Sequence, residues 1–329
     1  MFAPSTRREE DGNAPGRLSS DALTTVGGSP IQAAPIAIEN LTKRYGSLTA
    51  VSGLSLSVAP GEVLGFLGPN GAGKTTTIRT LMGFLNPTSG RCAVLGRWPG
   101  QDIALRRQIG YIPGDFRVDP RMTPEGLFRW YSKVRGGVDP GRVRALADRL
   151  QLETDRRFGS LSKGNRQKVA LVQAFMHDPE VLIMDEPTSG LDPLLQREFR
   201  RIVLEAAQRG ATVLLSSHVL PEVEHIATRI AMIRTGRLVT ISTVDELLEH
   251  AHQHLELHYS SPVPDSLFAG VPGIVTADVT GTTASIVIDG PAGPAMRAAA
   301  DHPGLLHIRS TSDELEDLFA ELYEPQGSA

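Results

Sequence analysis

The stretch GPNGAGKTT, from Gly68 to Thr76, constrains the fold of this chain more than any other. It matches the pattern G-x-x-x-x-G-K-[ST] and joins the apolar run EVLGFLG to the helix-like segment GKTTTIRTLM. A glycine-rich turn between a strand and a helix lets successive backbone N–H groups point inward at phosphate oxygens. The helix that follows adds the positive end of its dipole. The stretch therefore predicts a loop that holds a nucleoside triphosphate.

Each residue of this loop has an expected role. Lys74 reaches the β- and γ-phosphates as a point charge, and the Thr75 hydroxyl ligates Mg²⁺. The other phosphate-binding residues that we assign to the loop are Gly68, Pro69, Asn70, Gly71, Ala72, Gly73 and Thr76.

A second segment, VLIMDEPTSGLD, supplies carboxylates to the same site. Its buried apolar strand ends in Asp185 and Glu186, at the sheet edge where α/β proteins bind ligands. Asp185 is expected to hold Mg²⁺, directly or through water. Glu186 points in a different direction and is expected to polarise the attacking water as a general base.

A third segment, LSKGNRQKVALVQAFM, begins an amphipathic helix. Ser162 is the expected N-cap of this helix. The Ser162 hydroxyl, the Gly164 backbone and the helix dipole together predict a second anion site.

The alternation of apolar runs with helical segments predicts an α/β layered domain around a central, mostly parallel sheet. We place this domain at residues 35–248, with a helical subdomain inserted at about residues 100–175. The segments IAIENLTKRYG and LSLSV alternate apolar and polar residues, as half-buried strands do.

The two ends of the chain differ from this core. Residues 1–34 have the composition of a disordered extension. Residues 249–329 predict a small α+β domain whose last helix starts at a capping box formed by Thr311 and Glu314.

The bulk composition excludes some classes of protein. A net charge of -4 gives no electrostatic reason to expect a nucleic-acid partner. The single cysteine, Cys92, excludes an internal disulfide, and no apolar run is long enough to span a bilayer.

From about residue 36 to residue 248, these motifs resemble the ATP-binding subunit of an ABC transporter. GPNGAGKTT is similar to the Walker A loop of that family, VLIMDE to its Walker B strand and LSKGN to its signature. SGLD is similar to its D-loop and SSH to its switch region. The resemblance implies a P-loop NTPase fold with an ABC-type ATPase core, and it implies ATP and Mg²⁺ as ligands.

The same resemblance assigns three further site residues. It implies that Tyr45 stacks on adenine and that Asp192 of the D-loop belongs to the nucleotide site. It also implies that His218 lies near the γ-phosphate, as a catalytic sensor that links Glu186, water and phosphate.

Two positions depart from the family pattern. The signature carries Lys163 and Asn165 where Gly and Gln are usual, although Ser162 and Gly164 remain. The glutamine expected after IGYIP is replaced by Gly114, and the adjacent Asp115 is an open alternative for its role.

The narrower resemblance is to the ATPase subunits of bacterial multidrug or antibiotic exporters, including the daunorubicin-resistance type. It implies a homodimer around two ATP molecules that works with a polytopic membrane permease at the cytoplasmic face of the membrane. The exported compound would be a drug, an antibiotic or a lipid-like molecule.

Two rival readings remain at this point. One is an ABC-type ATPase that acts on ribosomes or DNA without a transport partner. The other is a P-loop kinase or GTPase, which would not need the LSKGN segment.

Overall fold

The structure, a computed structural model, describes residues 34–249 and 253–310. Residues 1–33, which make up nearly all of the predicted N-terminal extension, lie outside the described part. The predicted last helix, with Thr311 and Glu314, also lies outside it. Among the helices of the described ranges, none has the length and the apolar character that a bilayer crossing requires.

A six-stranded sheet lies at the centre of the larger part of the chain. Its strands, in spatial order, are β5 (Ile109–Ile112), β6 (Val181–Asp185), β7 (Thr212–Ser217), β3 (Val63–Leu67), β8 (Arg229–Arg234) and β9 (Arg237–Thr243). The first five are parallel, and β9 pairs antiparallel with β8. Every residue of β3, β6 and β7 is buried, which confirms that the continuous apolar runs are central strands.

A second, antiparallel sheet covers part of this centre. Its strands, in spatial order, are β2 (Leu48–Val58), β1 (Ile36–Tyr45) and β4 (Ser89–Val94). Leu54, Leu56 and Val58 of β2 are buried and alternate with exposed residues, as the sequence predicts. They belong to one apolar cluster with Leu64 and Phe66 of β3, so the two sheets share a core.

Six helices accompany these sheets. They are α1 (Lys74–Leu81), α2 (Pro124–Arg135), α3 (Pro140–Arg149), α4 (Lys163–Phe175), α5 (Pro193–Gln208) and α6 (Pro221–Glu224), with short 3₁₀ helices at Ala104–Gln108 and Phe158–Ser160. The side chains of Thr123 and Asp139 cap α2 and α3, and proline follows each cap. Proline suits the first helical position because its missing N–H would be unpaired there.

The range predicted as a helical subdomain, about residues 100–175, contains α2, α3 and α4 but also one strand of the central sheet. This strand, β5, pairs parallel with β6. Its four residues, IGYI, are too few to show a strand period in the sequence. The helices that follow contribute Leu127, Phe128 and Leu146 to the apolar cluster on one side of the sheet.

The C-terminal part has a sheet and a core of its own. Helix α7 (Val244–Glu249) precedes it, and the strands, in spatial order, are β11 (Ile274–Thr280), β12 (Thr283–Ile288), β10 (Gln253–Tyr259) and β13 (Leu305–Ser310). Helix α8 (Gly293–Asp301) places Ala295 and Ala299 in a cluster with Leu257 and Ile286. The segments LELHY, GIVTADV and ASIVIDG, which the sequence predicts as strands, correspond to β10, β11 and β12. The segment PAMRAAADH, predicted as a helix, corresponds to α8, whereas β13 was not predicted. A domain boundary at residue 249 stays a prediction.

Candidate functional site

The glycine-rich loop joins β3 to α1, and its backbone turns at two glycines. Gly71 and Gly73 have positive φ angles of 81° and 109°, a region that side chains with a β-carbon rarely adopt. Gly73 precedes α1 without a side-chain cap, and no acidic residue lies in the first turn of that helix. The amide groups at this helix start therefore face an environment that favours an anion.

Lys74 is buried at the centre of the loop, with 5% of its surface exposed. Its Nζ donates to the carbonyl oxygen of Gly68 and, at 3.4 Å, to that of Pro69. Nζ also lies 3.3 Å from Oε1 of Glu186. The structure thus brings together the lysine and the glutamate that the sequence assigns to one site.

The loop rests on a turn from a distant part of the chain. The N–H of Gly236 donates to the carbonyl oxygen of Ala72 at 2.9 Å. A β-carbon on Gly73 would lie 2.6 Å from the carbonyl oxygen of Ala50, and one on Gly236 would lie 2.7 Å from the same atom. The segment RTGR, residues 234–237, forms the turn between β8 and β9 and also supports the phosphate loop.

Asp185 ends β6 and is 1% exposed. Its Oδ1 accepts a hydrogen bond from Ser216 Oγ at 2.7 Å. In the part of the chain that the structure describes, no hydrogen bond reaches its Oδ2. Oδ2 and the Thr75 hydroxyl at the start of α1 are oxygen donors of the kind that Mg²⁺ prefers, so the donor set fits that ion.

Glu186 has a left-handed backbone with φ 51°, which is uncommon for a residue with a side chain. Such a conformation costs on the order of 1 kcal/mol and persists only where the surroundings hold it. Here the Glu186 N–H donates to both the carbonyl oxygen and Oγ of Ser216, each at 3.2 Å. Ser216 therefore fixes Asp185 and Glu186 in different orientations.

The Glu186 carboxylate lies between two partners. Oε1 faces Lys74, and Oε2 is 2.8 Å from Nδ1 of His218. His218 follows the end of β7, next to β6 in the sheet. The sheet order thus explains why residues 32 positions apart in sequence meet at one edge.

Gly114, the residue in place of the expected glutamine, lies against Asp185. A β-carbon on Gly114 would be 3.0 Å from Oδ2 of Asp185. The carboxylate of Asp115 instead contacts Arg117, with Nε and Nη2 at 2.7 and 2.6 Å, and this contact lowers the pKa of Asp115. Burial, with Asp185 nearby, raises the pKa of Tyr111 to about 12, so its phenol stays neutral.

The signature helix starts beside the D-loop. Ser162 caps α4, its Oγ accepting the N–H of Asn165 at 3.2 Å, as predicted. A β-carbon on Gly164 would lie 2.6 Å from the carbonyl oxygen of Gly190, so α4 starts directly against the D-loop of the same chain. Among the described hydrogen bonds, none joins Ser162 or Gly164 to residues 68–76.

Lys163 strengthens the contact between α4 and the D-loop. Its Nζ donates to Ser189 Oγ at 2.9 Å. Its aliphatic carbons lie 3.4–3.6 Å from the β-carbon position of Gly190. This departure from the usual signature is therefore an additional tie within the chain.

Tyr45 and Asp192, which the resemblance assigns to the nucleotide site, lie in different elements of the fold. Tyr45 ends β1 with 46% of its surface exposed, and Lys43 Nζ lies 5.2 Å from the centre of its ring. Asp192 caps α5, where Oδ1 accepts the N–H groups of Leu194 and Leu195 at 3.0 Å each.

Sequence reasoning missed the hydroxyl groups that order the site. Ser216 and Ser217 are buried polar residues at the end of β7, and Thr188 is buried three residues after the end of β6. Buried hydroxyls of this kind require hydrogen-bond partners. Their position in SSH and EPTS was visible in the sequence, but their partners lie 30 or more residues away in two of the three cases.

Comparison with known proteins gives a family for this arrangement. A sequence model of the family described as ABC transporter matches residues 51–189. Nod factor export ATP-binding protein I of Burkholderia orbicola (strain AU 1054) is 31% identical over 297 residues, which cover 88% of this chain and 97% of that protein. Bacitracin transport ATP-binding protein BcrA of Bacillus licheniformis is 36% identical over 228 residues, which cover 67% of this chain and 74% of that protein.

Solved structures agree with this comparison. An ATP-binding subunit of an ABC transporter matches with a TM-score of 0.61 at 28% identity, over 65% of this chain and 92% of that chain. A dimeric bacterial ABC transporter cassette matches with a TM-score of 0.59 at 22% identity, over 64% of this chain and 98% of that chain, and supports the fold. The phosphate loop, the paired carboxylates and these likenesses agree: the chain belongs to the ABC transporter family, as an ATP-binding subunit that hydrolyses ATP.

Proposed function

We propose that two copies of this chain enclose two ATP molecules and power the export of a drug, an antibiotic or a lipid-like compound through a separate polytopic membrane subunit. The observation that supports the proposal is that the two parts of the expected site have different neighbours within one chain. Lys74, Glu186 and His218 gather at the phosphate loop, whereas Ser162 and Gly164 start a helix that packs on the D-loop. A second copy can bring its own helix start to the open side of the phosphate loop.

In this proposal the loop residues bind the triphosphate through backbone amides and through Lys74. Tyr45 stacks on the adenine ring. Thr75 and Asp185 would hold Mg²⁺, and the bound ion would offset negative charge on the phosphates.

Glu186 accepts the proton of the attacking water as a general base. Its Oε2 contact with His218, at 2.8 Å, holds the carboxylate in one orientation. Ser162, Gly164 and Asp192 of the second copy close the site and exclude water, which strengthens the electrostatic stabilisation of the transition state.

The relatives support export as the process that this ATPase drives. The two described above are named for Nod factor export and for bacitracin transport, and another for multidrug transport. The rival reading, an ATPase acting on ribosomes or DNA, has no counterpart among these names. We propose that the chain works at the cytoplasmic face of the membrane, bound to the membrane subunit.

The proposed closed pair, two chains that enclose two ATP molecules, is tested with Glu186→Gln. This substitution keeps the size of the side chain and removes its basicity. In the presence of ATP and Mg²⁺ this variant is expected to elute from a sizing column as a dimer, because it binds ATP and does not cleave it. Glu224→Gln on α6 is the matched control and is expected to elute as the parent does. A Glu186→Gln variant that remains monomeric with ATP would rule out the closed pair.

The transport role has its own test. The full chain, tagged and expressed in its host, is expected to co-purify from detergent-extracted membranes with one polytopic protein. Stimulation of ATP hydrolysis in that complex by a bound drug or lipid would identify the class of cargo. A ribosome-bound pool without a membrane partner would instead favour the rival reading.

A further inference from the structure

Glu222 lies at the centre of a hydrogen-bond network beside the proposed catalytic residues. Its Oε2 accepts two hydrogen bonds, from Thr188 Oγ1 at 2.6 Å and from Ser217 Oγ at 2.8 Å. Its Oε1 accepts a third, from Gln196 Nε2 at 3.4 Å. The carboxylate, on the short helix α6, thus joins three segments that are separate in sequence.

Two of these partners are next to the catalytic pair. Thr188 lies two residues after Glu186, and Ser217 directly precedes His218. Nδ1 of His218 contacts Oε2 of Glu186 at 2.8 Å. Side-chain contacts and short stretches of backbone therefore connect five residues in a closed ring: Glu222, Thr188, Glu186, His218 and Ser217. One side of the ring is the contact between acid and imidazole, and Glu222 is the opposite side.

The third partner extends the ring to the D-loop. Gln196 lies in the first turn of α5, which Asp192 of the D-loop caps. The backbone N–H of Gln196 also donates to the carbonyl oxygen of Asp192 at 2.9 Å. Glu222 therefore contacts the segment after Glu186 at both its beginning and its end.

The hydroxyl groups in the ring have few other partners. Thr188 is 4% exposed and Ser217 is 1% exposed, so both hydroxyl groups depend on acceptors within the chain. Ser217 Oγ also accepts the N–H of Val219 at 3.0 Å and so holds the turn that carries His218. An unpaired buried hydroxyl is costly, and the turn is expected to shift if Glu222 no longer accepts from Ser217.

We propose that Glu222 is a positioning residue for ATP hydrolysis, which sets the geometry between Glu186 and His218 without contacting the nucleotide. This inference rests on the proposed roles of Glu186 and His218. The left-handed backbone of Glu186 makes its placement dependent on its surroundings. Glu222 accepts hydrogen bonds from both neighbouring segments and so links the stretch after Glu186 to the turn that carries His218.

The chain offers a variant that removes the charge and keeps the volume. A cavity of about 320 Å³ borders Glu222, Gln196 and His225, so the amide of Glu222→Gln has room to turn its NH₂ group outward. In that orientation the amide oxygen of Glu222→Gln still accepts from the two hydroxyl groups, but it is a weaker acceptor than the carboxylate oxygen that it replaces. Glu224→Gln, two residues along the same helix, makes the same change of charge outside the ring.

We expect Glu222→Gln to lower kcat for ATP by about tenfold, since small misplacements of catalytic groups have effects of this size or larger. KM for ATP is expected to change by less than about twofold, because the phosphate loop is not altered. Glu224→Gln is expected to match the parent in both. An unchanged kcat in Glu222→Gln, or a loss confined to KM, overturns the proposal.

A double-mutant cycle separates positioning from a general loss of structure. In a His218→Ala background, measured in single turnovers, Glu222→Gln is expected to add less than about twofold to the loss of rate, because the contact that it positions is already gone. Independent, multiplicative losses contradict the proposal. If Glu222→Gln fails to fold, Thr188→Val removes one donor of the ring and must show the same kcat loss and the same lack of additivity.

The outcomes also distinguish this inference from the proposed function. If Glu186→Gln and His218→Ala hydrolyse ATP as fast as the parent, the proposed catalytic roles are wrong. If both are slow while Glu222→Gln and Thr188→Val are not, the catalytic roles stand and only the positioning role of Glu222 is wrong.

Discussion

Gly114 approaches the Asp185 carboxylate so closely that a β-carbon at position 114 would lie 3.0 Å from Oδ2. A contact of this length forces one of the two groups to move. The loop after β5 therefore reaches the proposed Mg²⁺ ligand with its backbone, where family members of the usual pattern present a glutamine side chain.

We expect Gly114→Ala to raise the Mg²⁺ concentration that ATP hydrolysis requires. The added methyl group crowds Asp185, and overpacking of this kind costs on the order of 1 kcal/mol. The Mg²⁺ concentration for half-maximal ATPase activity should then rise by about fivefold. Titration of activity with Mg²⁺ at saturating ATP measures the change.

Gly141→Ala is the matched control for this prediction. A β-carbon there would also lie close to an aspartate, 3.3 Å from Oδ1 of Asp139, but at the start of α3. We expect Gly141→Ala to leave the Mg²⁺ dependence unchanged. Equal Mg²⁺ curves for Gly114→Ala and the parent would contradict a role for Asp185 in holding the ion.

Lys74→Ala is expected to weaken ATP binding by at least about tenfold and to abolish hydrolysis, since it removes the one ammonium group that the structure places inside the loop. Titration with a fluorescent ATP analogue measures the binding. Arg79→Ala, an exposed cation on the same helix, is the control and should bind as the parent does. Unchanged binding and cleavage by Lys74→Ala would refute the phosphate-loop assignment.

Because of the buried side chain of His177, we expect the folded chain to lose stability in mild acid. Burial, with the Arg135 guanidinium nearby, lowers the pKa of His177 to about 3, whereas an unfolded chain has a histidine pKa near 6.5. Between these two values the unfolded chain binds a proton that the folded chain does not. Stability from this group is therefore complete above about pH 6.5 and falls with decreasing pH, by up to about 1.4 kcal/mol per pH unit.

The measurement is the Tm at pH 7.5 and at pH 5.5. The parent is expected to lose more Tm between the two than His177→Leu does. His225→Leu, at an exposed histidine after α6, should behave as the parent. If His177→Leu and the parent lose the same Tm, the buried neutral state of His177 is wrong.

Cys92 should be inert in the folded chain. It is buried in β4, and burial raises the pKa of its thiol to about 12. Since the thiolate is the reactive form, we expect Ellman's reagent to react at least about 100-fold more slowly with the native chain than with the chain in denaturant. The sequence has one cysteine, so the signal reports this site alone. Rapid reaction without denaturant would show that β4 opens readily.

The parts of the site that depend on local sequence were predictable. The phosphate loop is formed by consecutive residues, and two of its glycines, Gly71 and Gly73, have positive φ angles. Ser162 caps α4 through a residue three positions along the chain. The apolar runs around Phe66 and Ile183 are long enough to identify central strands.

The parts that depend on distant contacts were not predictable from one sequence. Ser216 meets Asp185 and Gly236 meets Ala72 only because of the strand order in the sheet. The left-handed backbone of Glu186 has no sequence signal, since glutamate is not a residue that favours it. Glu222 reads as an ordinary surface acid until its three donors are known.

The contact between Gly164 and Gly190 leaves no space for a side chain on Gly164. The start of α4 is therefore in direct contact with the stretch that follows Glu186, and a shift of one segment toward the other displaces it. In a twofold-symmetric assembly, each copy would thereby transmit the state of its own nucleotide to the cleft that it helps to seal for its neighbour. Dimers of one active and one inactive copy should then lose far more than half of the ATP turnover of the parent dimer.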